Sequence, residues 1–157
     1  MQNTHKTGII ALYTADVWEH ACPTIRVIAP AQHCGYDVVP GVTWQDDAYQ
    51  INLQVIDSAD LVIIQRHFPT FRAAYSTVYA RARELGKPVI YELDDLLDDL
   101  PTWHTDQHIF SKAATPIQQA VVEADMVICS TQCIADSLSF ANVNIRVMPN
   151  YIVDEIW

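Results

Sequence analysis

The chain has 157 residues, half of them hydrophobic and 18% charged, which is long and apolar enough for one self-sufficient domain. Nine basic residues against 19 acidic ones give a net charge of -10, which argues against binding a nucleic-acid backbone. No apolar run approaches the ~20 residues of a membrane span, and the polar N-terminus lacks the apolar core of a secretory signal. The composition therefore predicts a soluble, cytoplasmic domain without a membrane span.

Six short apolar runs predict the strands of a mostly parallel sheet. Such runs lack the polar–apolar alternation of half-exposed strands, which is typical of strands covered on both faces. In chain order the predicted strands are 9–13, 36–39, 61–64, 88–91, 126–129 and 145–148.

The segments between these runs carry helix signals. An apolar stripe from Phe71 onward ends at Gly86, which suits a left-handed C-terminal cap. Residues 115–118 (TPIQ) have the spacing of a capping box, and Ser130 or Thr131 is expected to cap a further helix. A helix is also expected over 22–34, kinked or shortened by a proline. The predicted fold class is α/β: a doubly wound, Rossmann-like sheet in a single three-layer α/β/α domain covering 1–157.

The four cysteines show no C-x-x-C pair, and their spacing suits neither a structural zinc site nor a disulfide framework. We therefore expect Cys22, Cys34, Cys129 and Cys133 to be buried free thiols.

Ligands of such sheets bind beyond the carboxyl ends of the strands, where the strand order reverses. The turn after the first strand holds no glycine, which excludes a dinucleotide fingerprint, and no phosphate-binding loop or hydrolase elbow occurs elsewhere. The candidate site residues are therefore the polar side chains that follow the strands. They are Asp16, Arg66, His67, Glu92, Asp94, Asp95 and Thr131.

The acids are the most conspicuous of these, because Glu92, Asp94, Asp95, Asp98 and Asp99 fall within eight positions. One reading is a cleft-lining carboxylate that acts as a general base toward an acceptor hydroxyl. A second is a metal-dependent transferase of the GT-A kind, in which two carboxylates two positions apart chelate manganese under a diphosphate. A third is a solvated loop that caps the next helix.

Four segments in this order resemble one family. Residues 60–66 (DLVIIQR), 86–95 (GKPVIYELDD), 124–131 (ADMVICST) and 145–150 (IRVMPN) are similar to the N-terminal domain of GT-B glycosyltransferases, specifically the group 1, or family-4-like, class. The resemblance covers about 8–154. Each motif is moderately specific by itself, and their order and spacing are more so.

The resemblance implies an acceptor-side domain that faces a donor domain across a cleft. The second domain would bind the nucleotide-sugar, the acceptor would be a glycan, lipid or small-molecule hydroxyl, and neither a metal nor another cofactor would be needed. By position, Asp94 or Asp95 would orient the acceptor as catalytic residues. Arg66, His67, Glu92, Thr131 and Asp16 would line the cleft as substrate-binding residues.

Two departures from the class matter. Trp18 and His20 replace the glycine-rich turn that many relatives carry after the first strand. The chain also ends where the donor domain would begin, with the crossover near residue 150, so this chain alone is expected to be catalytically silent. A homodimer through the exposed cleft edge is a further expectation, and a non-catalytic Rossmann-like binding or assembly module remains the alternative from another class.

Overall fold

A computed structural model describes residues 8–45, 48–97, 100–105, 107–110 and 112–150. Its centre is a six-stranded sheet in the order β2-β1-β5-β6-β7-β8, in which every neighbouring pair is parallel. These strands are β1 (Ile9–Thr14), β2 (Asp37–Pro40), β5 (Leu61–Gln65), β6 (Val89–Leu93), β7 (Met126–Cys129) and β8 (Ile145–Val147). The predicted parallel sheet is thus confirmed, with each strand within one or two residues of its expected bounds.

Helices cover both faces of the sheet, as expected for a Rossmann-like α/β domain. The larger core packs one face against α3 (Gln54–Ser58), α4 (Arg72–Glu84), α6 (Ala114–Glu123) and α7 (Gln132–Leu138). The smaller core packs Ile10, Leu12 and Ile63 of the other face against Val27 and Ile28. These two residues belong to a helical segment made of α1 (Ala21–Pro23), a π-helical stretch (Thr24–Ile28) and α2 (Ala29–His33).

Pro30 explains the π-helical stretch in this segment. Pro30 cannot donate a backbone hydrogen bond, and its ring clashes with the preceding turn of a regular α-helix. The chain widens into the π-helical stretch just before α2, and the Ala29 N–H reaches back to the Thr24 carbonyl. The expected disturbance therefore takes the form of a wider turn.

Two predicted helix starts and one predicted helix end can be compared with the structure. Thr131 is the N-cap of α7, where its Oγ1 accepts from the Ile134 N–H at 3.3 Å, as predicted. The capping box at 115–118 is not formed, because α6 begins at Ala114 and places Thr115 inside its first turn. Gly86 adopts a φ of +63° after α4, which confirms the predicted left-handed C-terminal cap.

A hairpin that the sequence reading missed follows β2. Strands β3 (Val42–Gln45) and β4 (Ala48–Ile51) pair antiparallel and form a separate two-stranded sheet. Residues 42–45 (VTWQ) alternate apolar and polar side chains, which is the periodicity of a half-exposed strand, whereas 48–51 (AYQI) do not. The remaining helical elements are a 3-10 turn (Phe68–Thr70) and α5 (Gln107–Phe110).

The strand order reverses between β1 and β5. The chain passes from β1 outward to β2 and then returns across β1 to β5, so the loops after β1 and β5 diverge at this point. A crevice at the carboxyl ends of such strands is the usual ligand site of open α/β sheets. Within the described residues, no helix is long and apolar enough to cross a membrane.

Candidate functional site

Four of the predicted side chains meet at this reversal point. The guanidinium of Arg66, directly after β5, contacts Asp94 Oδ1 at 2.7 Å and Asp95 Oδ2 at 3.2 Å, both just beyond β6. Its Nε lies 3.5 Å from Oδ2 of Asp16, which follows β1. We call Asp16, Arg66, Asp94 and Asp95 the Arg66 cluster. It joins three strand ends, as the sequence predicts.

The Arg66 cluster is negatively charged, because three carboxylates share one guanidinium and leave a formal charge of -2. Burial would lower the pKa of Arg66, but Asp94 and the neighbouring Asp16 and Asp95 raise it further above its ordinary value. The arginine is therefore always charged. Asp95 is the open member of the cluster, with 61% of its side chain exposed against 14% for Asp94.

The backbone of Arg66 is held in an unusual conformation. Its φ is +50°, the left-handed region, which costs a residue with a side chain about 1–2 kcal/mol. Two contacts impose it: the Arg66 N–H donates to the Glu92 carbonyl at 2.8 Å, and the Tyr91 hydroxyl donates to the Arg66 carbonyl at 2.6 Å. Such outliers gather at functional sites, where the surrounding structure fixes them.

His67 lies beside the cluster and is largely neutral. Burial lowers the pKa of its imidazole, and the attraction of Asp16 only partly offsets this. Its ring meets the ring of Phe110 edge to face, with the centroids 5.5 Å apart. Its Nδ1 has no hydrogen-bond partner within the described part of the chain. A neutral histidine here is suited to a hydroxyl ligand rather than to a phosphate.

Glu92 lies at the carboxyl end of β6 but beneath the protein surface. Its side chain is 1% exposed and pairs with the equally buried Arg26, whose Nε donates to Oε1 at 2.7 Å. Oε2 accepts from Gln65 Nε2 at 2.9 Å, so both carboxylate oxygens are occupied. Burial raises the pKa of Glu92, and Arg26 and Gln65 partly offset that rise. Both oxygens of Glu92 are thus engaged by Arg26 and Gln65, and Glu92 and Asp94 do not form the chelating pair of the manganese alternative.

Thr131 lies at the edge, but its hydroxyl caps α7. The neighbouring Ser130 contacts the backbone of the Arg66 cluster instead, since its Oγ donates to the Asp94 carbonyl at 2.7 Å. Asp98 and Asp99, the other acids of the predicted group, lie outside the described residues.

A second concave surface adjoins the cluster, and the sequence reading did not identify it. It is a cavity of about 260 Å³ between the loop after β1 and the β3–β4 hairpin. Its walls include Trp18, Trp44 and Thr43 together with the carboxylates of Asp16 and Glu19. We call it the Trp cavity. Because Asp16 belongs both to it and to the Arg66 cluster, the two are adjacent. The alternation of 42–45 was a local signal for the strand that carries Trp44, but it does not indicate the cavity.

The cysteines differ from expectation. All four are free, but only Cys129 is buried, while Cys34 and Cys133 are exposed and Cys22 is intermediate. Cys22 Sγ lies 3.2 Å from Arg66 Nη1, at the rear of the cluster. Burial raises the pKa of the Cys22 thiol to about 11, and the attraction of Arg66 does not reverse the effect.

We expect iodoacetamide at pH 8 to alkylate Cys34 and Cys133 well before Cys22, because the thiolate is the nucleophile and a thiol of such high pKa holds little of it. Peptide mapping by mass spectrometry should show labelling of Cys22 at least about ten-fold slower than that of the two exposed thiols. Labelling in 6 M urea supplies the control, since all four cysteines should then react alike. Equal rates in the folded protein would contradict the buried environment of Cys22.

No protein-family model matches the sequence, and no curated protein matches it. Among solved structures, a conserved protein from Enterococcus faecalis V583 is similar over 90% of this chain and 92% of its own, at 13% identity and a TM-score of 0.40. A fructokinase from Xylella fastidiosa is similar over 88% of this chain, at 12% identity and a TM-score of 0.38. The chain spans about half of that fructokinase, or 48% of its length.

Proposed function

We propose that this chain is the acceptor-side half of a GT-B glycosyltransferase, which receives the hydroxyl to which a sugar is transferred. The observation that carries the proposal is the Arg66 cluster at the point where the strand order reverses. The four family-like segments support it, since three of them contain or adjoin β5, β6 and β7, whose ends carry Arg66, Asp94 and Thr131.

Each member of the cluster has a role that follows from its contacts. The open carboxylate of Asp95 accepts a hydrogen bond from the acceptor hydroxyl and serves as the base toward it. Asp94, whose Oδ1 lies 2.7 Å from Arg66 Nη1, keeps the guanidinium of Arg66 in place. The neutral His67 contacts a second hydroxyl. Arg66 is already neutralised by its acids, so it positions these carboxylates and does not capture a phosphate.

The proposal divides the work between two domains. The nucleotide-sugar binds to a donor domain, and the described residues of this chain supply the acceptor wall. The cytoplasmic location and the homodimer through the edge remain predictions of the same proposal. A non-catalytic binding module with this fold is the alternative, and it differs by capturing a ligand without any partner domain for transfer.

Titration of the chain, followed by two-dimensional NMR, tests the division of work. We expect methyl glycosides to bind with millimolar affinity and to shift the amides of Arg66, His67, Asp94 and Asp95. UDP- and GDP-sugars should show no tight binding, so a Kd below about 10 μM for a nucleotide-sugar would overturn the proposal.

A pair of matched variants supplies the control. Asp95→Asn removes an exposed acid that contacts Arg66, and Asp57→Asn removes an equally exposed acid that contacts Arg81 on α4. Asp95→Asn should weaken glycoside binding about ten-fold and Asp57→Asn should leave it unchanged. Equal effects would mean that the cluster does not contact the acceptor.

A further inference from the structure

The Trp cavity is shaped before any ligand arrives. Trp44 keeps 40% of its side chain exposed, yet its ring is fixed by neighbours on two elements. It meets Tyr49, its cross-strand partner, edge to face at 5.9 Å, and Phe71 edge to face at 6.4 Å. Tyr49 and Phe71 are themselves in contact, with ring centroids 4.7 Å apart. A ring held in this way loses little side-chain freedom when a ligand packs against it.

The aromatic walls are paired with hydrogen-bond acceptors. Asp16 and Glu19 are the acids of the lining and Thr43 carries a hydroxyl, while no Lys, Arg or His is among the residues that line the cavity. Tryptophan faces pack against the C–H faces of a sugar ring, and carboxylates accept hydrogen bonds from its hydroxyls. A phosphate or carboxylate ligand would meet two acids, and the neighbouring Arg66 is already paired with Asp94 and Asp95. The cavity therefore selects against anions.

The size and position of the Trp cavity limit which ligand can bind there. A volume of about 260 Å³ holds a single sugar ring rather than a chain of rings. Asp16 is among its lining residues and lies 3.5 Å from Arg66 Nε, so a ring seated there lies next to the Arg66 cluster.

We propose that the Trp cavity is a binding subsite for one uncharged pyranose ring, held between Trp18 and Trp44 with its hydroxyls on Asp16 and Glu19. The acceptor is then a glycan or glycoside with an uncharged sugar next to the reacting hydroxyl, and phosphorylated acceptors are excluded. This deepens the proposed function and rests on it only where the ring is called part of an acceptor, because binding of the ring requires no donor and no transfer.

The indole N–H signals of the tryptophans report on the cavity directly. Methyl glucoside, methyl mannoside and methyl galactoside are titrated into the ¹⁵N-labelled chain, with glucose 6-phosphate and tetramethylammonium as charged probes. We expect at least one neutral glycoside to shift the signals of Trp18 and Trp44 with a millimolar Kd. Trp103, which is 81% exposed and lies outside the cavity, should not shift. Glucose 6-phosphate should bind at least about ten-fold more weakly than methyl glucoside.

Three variants make the result specific. Trp44→Ala should weaken the neutral glycoside at least about ten-fold, and Trp103→Ala should leave its Kd unchanged. Glu19→Gln, an exposed substitution that does not threaten folding, should weaken it about three-fold and relax the discrimination against glucose 6-phosphate.

Three results would overturn the subsite. The first is no shift of the Trp18 and Trp44 signals with any neutral glycoside at about 100 mM. The second is an affinity for glucose 6-phosphate equal to that for methyl glucoside. The third is tighter binding of tetramethylammonium than of the glycosides, which would make the cavity an aromatic cage for cations. Failure of the proposed function is distinguishable, because tight nucleotide-sugar binding would overturn the acceptor-side role while leaving the glycoside shifts at Trp18 and Trp44 intact.

Discussion

Replacing Arg26 by methionine is expected to lower the free energy of unfolding by about 3–5 kcal/mol. The substitution leaves the carboxylate of Glu92 1% exposed and without its cation. It also removes the donor to the Met148 carbonyl and to Asn150 Oδ1, contacts that hold the chain after β8 against the helical segment. Urea denaturation followed by circular dichroism measures the loss.

The control is an arginine of the same type on the surface. Arg81→Met breaks pairs with Asp57 and Glu84, which are 50% and 67% exposed, so it should cost far less stability than Arg26→Met. The double variant Arg26→Met, Glu92→Leu should regain most of the stability that Arg26→Met loses, because the unpaired charge is removed with its partner. A loss in Arg26→Met no larger than that in Arg81→Met would contradict the importance of the buried pair.

Local pattern was sufficient to predict the sheet and the edge of it at which the Arg66 cluster lies. A strand buried on both faces has to be apolar along its whole length, as 61–64 and 126–129 are, so the parallel sheet is visible in the sequence. Once the strands are parallel, their carboxyl ends share one edge, and the residues that follow them are brought together. Asp16, Arg66, Asp94 and Asp95 meet for this reason alone.

Long-range pairing could not be predicted in the same way. Glu92 belongs to the same acidic run as Asp94, but β6 ends at Leu93, so Asp94 lies beyond the strand while the buried Glu92 meets an arginine 66 positions away. Nothing local in the sequence marks Arg26 as that partner, since it lies in a helix disturbed by proline. The left-handed backbone of Arg66 was equally hidden, because two contacts from β6 impose it.

A second large effect is expected from replacing the arginine of the Arg66 cluster. Arg66→Ala should lower the free energy of unfolding by about 2 kcal/mol, less than for a fully buried pair because Asp95 is open to solvent. Three carboxylates then face one another without a cation. The same variant should abolish detectable glycoside binding, since Asp94 and Asp95 lose the group that positions them. Urea denaturation and the NMR titration measure the two effects on one sample.

Arg66→Gly separates stability from function. It removes the same guanidinium, but glycine adopts a φ of +50° without steric cost, so this variant should be about 1 kcal/mol more stable than Arg66→Ala. The order reverses inside an ordinary helix, where Ala80→Gly in the middle of α4 should cost about 0.5–1 kcal/mol. If Arg66→Gly folds better than Arg66→Ala yet binds no glycoside, the arginine is retained at a strained position for binding. If Arg66→Gly binds as tightly as the native chain, Arg66 serves the fold alone and the acceptor lies elsewhere.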